Sequence, residues 1–522
     1  MSCFKACCEL SWLRTAHTMK RSHSLAKNQF LRLCIRSASG EVLVEEDDVP
    51  CDKPVYEVAH LLGTAGLRST LVTPGGIQMS PRSTLSDWIA TESDALTLTA
   101  VHCKLPRLFA TAGAFAALTL SGDIISWGKA DCGGLISPAI RSRLGEVREV
   151  CAAKYAFAAV TQRGAVIAWG NMRLGGCTSV LSDSNNGTSP VDDSFLQRDI
   201  VNVCATWHAF LALRKDGKVF SWGYTLCGAG NRAVERYLQD KTVIRTKAGV
   251  GMFCAFLSDS KAILWRGGKY DVFEQVVDVA LESGGHSDSA IVLKADGSVE
   301  TSWGQRIINN LPYVSIFAGT YAFAGVCRDG TVTTWGEANL GGDSTSVEAD
   351  LCNVKSFCNS WGAMAAIRSD DTVIAWGCPR YGGDVAAIKG QLLDVATLVS
   401  NEGAAGFVAL KRDGSAFSWG DVEVDWPRLR KVKRVSCNGL AWAAVMLDGT
   451  VVAWGSSNSG DATLNAASKH ALHGRFAEDV CGTSWSNNDR LGAFACLCSD
   501  NTVVTWGSTD VVPNGFQLVA LS

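Results

Sequence analysis

A five-residue phrase (two β-forming residues, a small or hydroxyl-bearing residue, Trp, Gly) recurs along this chain. It reads IISWG at Trp127, VIAWG at Trp169, VFSWG at Trp222, VETSWG at Trp303 and VTTWG at Trp335. It continues as VIAWG at Trp376, AFSWG at Trp419, VVAWG at Trp454 and VVTWG at Trp506, with a degraded copy, AILWRGG, at Trp265. Successive tryptophans lie 42, 53, 43, 38, 32, 41, 43, 35 and 52 residues apart, so ten of the 17 tryptophans mark one repeat. Periods of this size are the signature of repeat architectures, in which no unit buries its own hydrophobic face. Most of the 522 residues therefore belong to one array.

Each unit has the grammar of a β-hairpin. A small apolar segment runs into a turn and out into the Trp-Gly strand, as in AFLALRKDGKVFSWG and AFAGVCRDGTVTTWG. Asp-Gly fills the turn at Asp216-Gly217, Asp296-Gly297, Asp329-Gly330, Asp413-Gly414 and Asp448-Gly449. This dipeptide predicts type I′ turns with both central residues at positive φ. A further short strand precedes each hairpin (VREVCAA, IVNVCAT, VKRVSCN), giving at least three antiparallel strands per unit. Stacking such sheets radially buries both faces and leaves short edges, so the expected fold is an all-β propeller with the Trp as filler between sheets.

The phrase resembles the repeat of the regulator of chromosome condensation family, over about residues 105–520. The resemblance implies a propeller, seven-bladed by family default, whereas about ten Trp-Gly repeats are present. The family's usual middle-strand histidine is kept only at His208, in TWHAFLAL; other units read KYAFAAV, TYAFAGV and SWGAMAAI.

Ahead of the array the residues change character. Residues 1–30 carry a net charge of +4 and residues 31–103 of −5. The first 29 read as a basic leader (Lys5, Arg14, Lys20, Arg21, Lys27) expected to be disordered, with a targeting peptide as the alternative. Residues 30–103 read as a small α+β module. LRLCIRSASGEVLVEED forms a hairpin turning at Ser39-Gly40, and Pro54 opens a helix, VYEVAHLLG, stopped by Gly63. Val55, Val58 and Leu62 are its buried stripe. An apolar run at Leu71-Val72, a turn at Gly75-Gly76, TLSDW at 84–88 and ALTLTAV complete it. That order resembles ubiquitin, most specifically in TLSDW followed by ALTLTAV. The resemblance implies a β-grasp fold with a receptor patch falling on Ala38, Val72 and Thr99. Lys53 is the module's one lysine and no Gly-Gly ends it, so conjugation is not expected. The propeller is expected over 104–522.

Chemistry is sparse. The sequence has no phosphate-cradling Gly-rich motif, no H-E-x-x-H, and no Cys/His set at zinc spacing. Neither catalysis, a metal nor a cofactor is therefore expected. Cys151, Cys204 and Cys437 recur in first strands, where other units carry small residues such as Gly319. Cys132, Cys177, Cys227 and Cys378 follow Trp-Gly strands. Both sets read as semi-apolar filler, and Cys496 and Cys498 share a strand face. Gly-Asp loops occur at Gly341-Gly342-Asp343 and Gly382-Gly383-Asp384, echoed at Gly460-Asp461. Turn formation is the first reading there, and calcium binding the second. Together with Asn339, Tyr381 and Asn458, these loops are the candidate binding rim.

No apolar run is long enough to span a membrane and no secretory signal is read. An intracellular protein, cytoplasmic or nuclear, is expected, for which the sequon Asn186-Gly187-Thr188 is irrelevant. The near-neutral array offers no bulk footprint for nucleic acid. The function expected is a non-catalytic interaction scaffold with protein partners, the first module addressing the ubiquitin/proteasome pathway. The alternatives are nucleotide exchange on a small GTPase, implied by the family, and recruitment of substrates to a ubiquitin ligase.

Overall fold

The computed structural model describes residues 30–39, 41–62, 67–73, 76–88, 95–178, 193–282, 289–302, 311–401, 403–421, 429–439, 441–455, 464–484, 492–512 and 516–521. The basic leader, Gly40, Gly63, Gly75, the 186–188 sequon, Trp303, Asn458, Gly460 and Asp461 lie outside the described residues. The chain forms two compact units that divide at His102/Cys103.

The first unit holds β1 (Phe30–Ser37), β2 (Val42–Pro50), α1 (Val55–Leu61), β3 (Leu67–Val72) and β4 (Ala95–Lys104). The sheet order is β2-β1-β4-β3, with β2 antiparallel and β4 parallel to β1. Leu33 and Ile35 alternate onto one sheet face and meet Val55 and Val58 of α1, Leu85 and Leu98, while Leu62 packs at the margin. Pro54 sits just before the first helical residue, where its fixed φ of −66° and missing N–H do no harm. The TLSDW segment forms a single 3-10 turn, Leu85–Trp88, closed by the Asp87 carboxylate accepting from Thr84 N at 2.8 Å. Trp88 Nε1 donates to Ser83 Oγ at 2.6 Å.

The second unit is a β-propeller. Among the described residues it contains ten antiparallel sheets, numbered here 1 to 10 in chain order: 107–128, 147–170, 200–223, 243–273, 276–301, 313–336, 354–377, 395–420, 432–455 and 477–520. Each runs first strand, middle strand, Trp-Gly strand, and sheets 4 and 10 add a fourth. Middle strands such as Ala156–Thr161 are buried at every residue, because a neighbouring sheet covers each face.

Every pair of consecutive sheets shares its own apolar cluster, from sheets 1 and 2 (Ala116, Val150, Trp169) to sheets 9 and 10 (Ala443, Val480, Trp506). Sheets 10 and 1 do so as well, through Leu497, Val503, Phe115 and Trp127. Backbone bonds between loops follow the same path: Ala112 N to Lys154 O, Lys154 N to Trp207 O and Trp207 N to Val250 O, with Ser484 N returning to Thr111 O at 3.0 Å.

Two expectations need correction. The hairpin turns are not type I′. In the Asp216-Gly217 turn only the glycine has positive φ (+80°). Gly217 N bonds Arg214 O, Arg214 N bonds Lys218 O, and Asp216 Oδ1 accepts from Lys218 N at 3.2 Å. This is a three-residue loop ending on a left-handed glycine, in which the aspartate caps the turn with its side chain. The C-terminal strand Phe516–Ala520, whose partner the sequence leaves open, does not pair with the first repeat. It is the fourth strand of sheet 10, antiparallel to Thr502–Gly507, and only Val519 and Leu521 reach the cluster shared with sheet 1. The second correction concerns Gly319, which lies beyond the first strand of sheet 6, Tyr313–Ala318. The residue equivalent to Cys151 and Cys204 there is Phe317, packed on Phe357 at 4.4 Å, and in sheet 4 it is Lys247, so that position is not uniformly small.

Candidate functional site

The repeated Trp performs a recurring job, although Trp454 and Trp506 leave their indole N–H without a hydrogen-bond partner among the described residues. Its ring stacks on the residue directly opposite in the middle strand, as in Phe157–Trp169 (5.2 Å), Phe210–Trp222 (5.2 Å) and Phe407–Trp419 (5.3 Å). Its indole N–H then reaches back to the loop that follows the preceding sheet. Trp169 donates to Gly133 O at 3.0 Å, Trp222 to Gly175 O at 3.1 Å and Trp265 to Gly228 O at 2.9 Å. Trp376 donates to Gly341 O at 2.8 Å and Trp419 to Gly382 O at 3.0 Å. In sheet 1 the acceptor is Thr505 Oγ1 of sheet 10, at 3.0 Å.

This geometry places the candidate rim residues. Asn339 is exposed in the single turn Ala338–Leu340, and Gly341 ends that turn at φ +105° with its carbonyl committed to Trp376. Tyr381 ends the turn Pro379–Tyr381, and Gly382 follows at φ +92° with its carbonyl committed to Trp419. Gly342 and Gly383 pack against backbone: an added Cβ would stand 2.4 Å from Gly336 C and 2.5 Å from Gly377 C. Gly341 and Gly382 thus serve the joint between sheets, and Gly342 and Gly383 let the turn fold back on its own strand. Asp343 and Asp384 are exposed and cap backbone N–H groups of Thr345 and Ala386, each at 2.9 Å. In the first unit, Ala38 is exposed in the β1–β2 turn, while half-buried Val72 and Thr99 lie on the neighbouring strands β3 and β4, alternating with buried Leu71 and Leu98. Among the described residues no three Cys, His, Asp or Glu side chains gather as a metal would need.

What sequence reasoning missed is a cleft of about 280 Å³ where the first strands of sheets 1 to 5 end and sheet 10 returns. Six sheets contribute to it, which places those strand ends toward the centre of the ring. Its polar groups are Lys154, Thr206, Glu282 and Ser484, and its one aromatic is Trp207. Lys154 is 7 % exposed, and its ammonium lies 3.8 Å from the Trp207 ring centroid, a cation–π contact strengthened by desolvation. Glu282 is 5 % exposed and accepts from Ser289 N at 3.1 Å through Oε2.

The retained His208 adjoins the cleft. It stacks on Tyr155 at 5.7 Å and meets Trp207 and Tyr224 edge-on. Burial, with Lys154 nearby, holds its imidazole down to about 4, so it is neutral at physiological pH. At the same end of the sheets, the turns after the Trp-Gly strands expose Leu135, Met172, Tyr224 and Leu226. A second aromatic set, Tyr321–Trp361–Tyr381, repeats the arrangement on sheets 6 and 7.

The first-strand thiols are unreactive by environment. Burial pushes Cys204 up to about 11, and Cys358, Cys437 and Cys481 up to about 12. Cys496 and Cys498 share the buried strand Ala493–Cys498; the hydrogen bond between them, followed by burial, raises Cys496, and the same bond lowers Cys498.

No family model and no curated relative matches the sequence. Among solved structures, yeast RCC1 (Prp20) bound to Kap60 is similar at 13% identity over 74% of this chain and 91% of that chain, with a TM-score of 0.33. Human WBSCR16 is similar at 15% identity over 48% and 82% of the two chains, with a TM-score of 0.30. The Physcomitrella patens receptor kinase CR4 ectodomain is similar at 12% identity over 53% and 73%, with a TM-score of 0.30. No described helix is long and apolar enough to cross a membrane.

Proposed function

We propose that the chain is a non-catalytic protein-docking scaffold. In this reading the second unit is a ten-bladed propeller of the regulator of chromosome condensation type, and the docking surface is the end of the ring that carries the axial cleft. The observation that carries the reading is the residue composition of that end. Trp207, Tyr224, Trp361 and Tyr381 lie at the same end of the sheets as exposed Leu135, Met172 and Leu226. Large aromatic and aliphatic groups of this kind concentrate at the energetic centres of protein interfaces. They are presented by short turns whose glycines are pinned to the next sheet, so a partner orders few loops on binding. The exposed side chains Asn339, Asp343 and Asp384 form the polar margin.

The first unit is read as a ubiquitin-like β-grasp module, supported by its sheet order, its parallel β1–β4 pair and its Leu85–Trp88 turn. Its patch at Ala38, Val72 and Thr99 would address ubiquitin-pathway proteins. Proximity labelling in native cells, comparing the unaltered chain with a Met172→Asp/Leu226→Asp variant, tests the reading. Loss of a defined set of neighbours is expected. An unchanged set overturns the docking face, and a set free of ubiquitin-pathway proteins overturns the role of the first unit.

A further inference from the structure

Two Trp-Gly strands of the propeller are almost the same sequence and meet different fates. Residues 331–336 of sheet 6 read TVTTWG, and Thr502–Gly507 of sheet 10 reads TVVTWG. In sheet 10 the outer edge of that strand is covered by Phe516–Ala520, antiparallel, with Phe516 opposite Trp506, Gln517 opposite Thr505, Leu518 opposite Val504 and Val519 opposite Val503. In sheet 6 the sole pairing on that side, among the described residues, is one bridge from Cys352 to Thr331.

Register shows which groups are left over. Cys327 N bonds Thr331 O, and Thr333 and Trp335 face Gly325 and Phe323. Alternation along an antiparallel pair therefore turns the N–H and C=O of Val332 and Thr334 away from the sheet. No residue of Val332–Gly336 is buried, and Trp335 is the one repeat tryptophan among the nine described that is not buried. Two other edge strands meet short helices, Pro138–Arg141 against Val166–Gly170 and Thr345–Val347 against Val373–Gly377. The shortest repeat interval, 32 residues, precedes Trp335.

We propose that the edge Val332–Gly336 accepts an extended, uncharged strand from a partner protein, added antiparallel as a fourth strand of sheet 6. The chemistry of that strand follows from the copy already filled. It carries an aromatic residue opposite Trp335, a polar one opposite Thr334 and aliphatic residues opposite Thr333 and Val332. The edge offers no charge to attract or repel, and no lysine or proline blocks it, the usual defences of an exposed strand. Main-chain hydrogen bonds supply affinity and the alternating side chains supply selectivity. This site is independent of the docking face proposed above.

The test uses the full-length chain and a fluorescein-labelled peptide of residues 516–522, FQLVALS, followed by anisotropy against a scrambled peptide. Thr334→Pro removes an outward N–H without removing a sheet bond and is expected to weaken binding about tenfold or more; it also loses the Thr334 Oγ1 bonds to Gly342 O and Ser344 Oγ, which Thr334→Val loses equally, so the difference between the two variants reads the N–H. Thr334→Val keeps the N–H and is expected to bind like the unaltered chain. Hydrogen exchange adds an independent readout, with the Thr334 amide slowed by the peptide in both the unaltered chain and Thr334→Val. Failure of the unaltered chain to bind, full binding by Thr334→Pro, or unslowed exchange at Thr334 overturns the proposal.

Discussion

The joint between sheets can be broken with a single methyl group. Gly382 lies at φ +92°, and a Cβ there would stand 2.8 Å from Phe407 Cδ2 and 3.2 Å from Trp419 Nε1. Gly382→Ala therefore acts in three ways. It forces a left-handed backbone on an L-residue, at about 1–2 kcal/mol. It pushes into a ring that is fully buried, and overpacking of that kind costs about 1–3 kcal/mol. It disturbs the 3.0 Å bond from Trp419 to Gly382 O, worth about 1 kcal/mol net. Together the loss is about 3–6 kcal/mol. Gly390→Ala is the control, since a Cβ there meets nothing within 4 Å and the change should stay within about 0.5 kcal/mol. Urea unfolding followed by tryptophan fluorescence measures both. Gly382→Ala unfolding at the same midpoint as Gly390→Ala would refute the view that these glycines hold neighbouring sheets together.

Two further outcomes follow from the charges. Glu478 is 4 % exposed and is held by Lys433 Nζ at 2.5 Å, so Lys433→Met should destabilise by about 3 kcal/mol by leaving a buried carboxylate without its cation; an unchanged urea midpoint would contradict this. His208 is held down to about 4 in the fold, below the ordinary value of about 6.5 in the unfolded chain. Between those values the unfolded chain binds the extra proton, so the His208 contribution is complete above pH 6.5 and is lost as pH falls toward 4. His208→Phe should flatten that part of the stability–pH curve, and a curve of unchanged slope would show that the imidazole is not buried as described.

The repeat was legible because Trp and Gly are each demanded by geometry. Trp169 fills the joint and donates to Gly133, and Gly170 takes φ +115° against Ala156. The turn type was misread because Asp-Gly also suits a loop in which the aspartate caps with its side chain and only the glycine needs positive φ. The axial cleft was illegible for a different reason. Lys154, Trp207, Glu282 and Ser484 occupy variable loop positions in four separate repeats, and ring closure alone brings residue 484 beside residue 110. His208 was the one signal nearby, and it packs beside the cleft rather than lining it. The uncovered edge of sheet 6 was equally hidden, since TVTTWG and TVVTWG look alike until the position of Phe516–Ala520 is known.

The indole bonds also have a direction along the chain. Trp169, Trp222, Trp265, Trp376 and Trp419 each donate to a carbonyl that precedes them in sequence. A nascent chain leaving the ribosome can therefore seat each new sheet on one already made, without waiting for anything downstream. Among these bonds Trp127 is the exception, since its acceptor, Thr505, lies 378 residues further along the chain. The indole of the first sheet thus waits for the strand of sheet 10 that meets it, and that bond forms only when the two sheets come together.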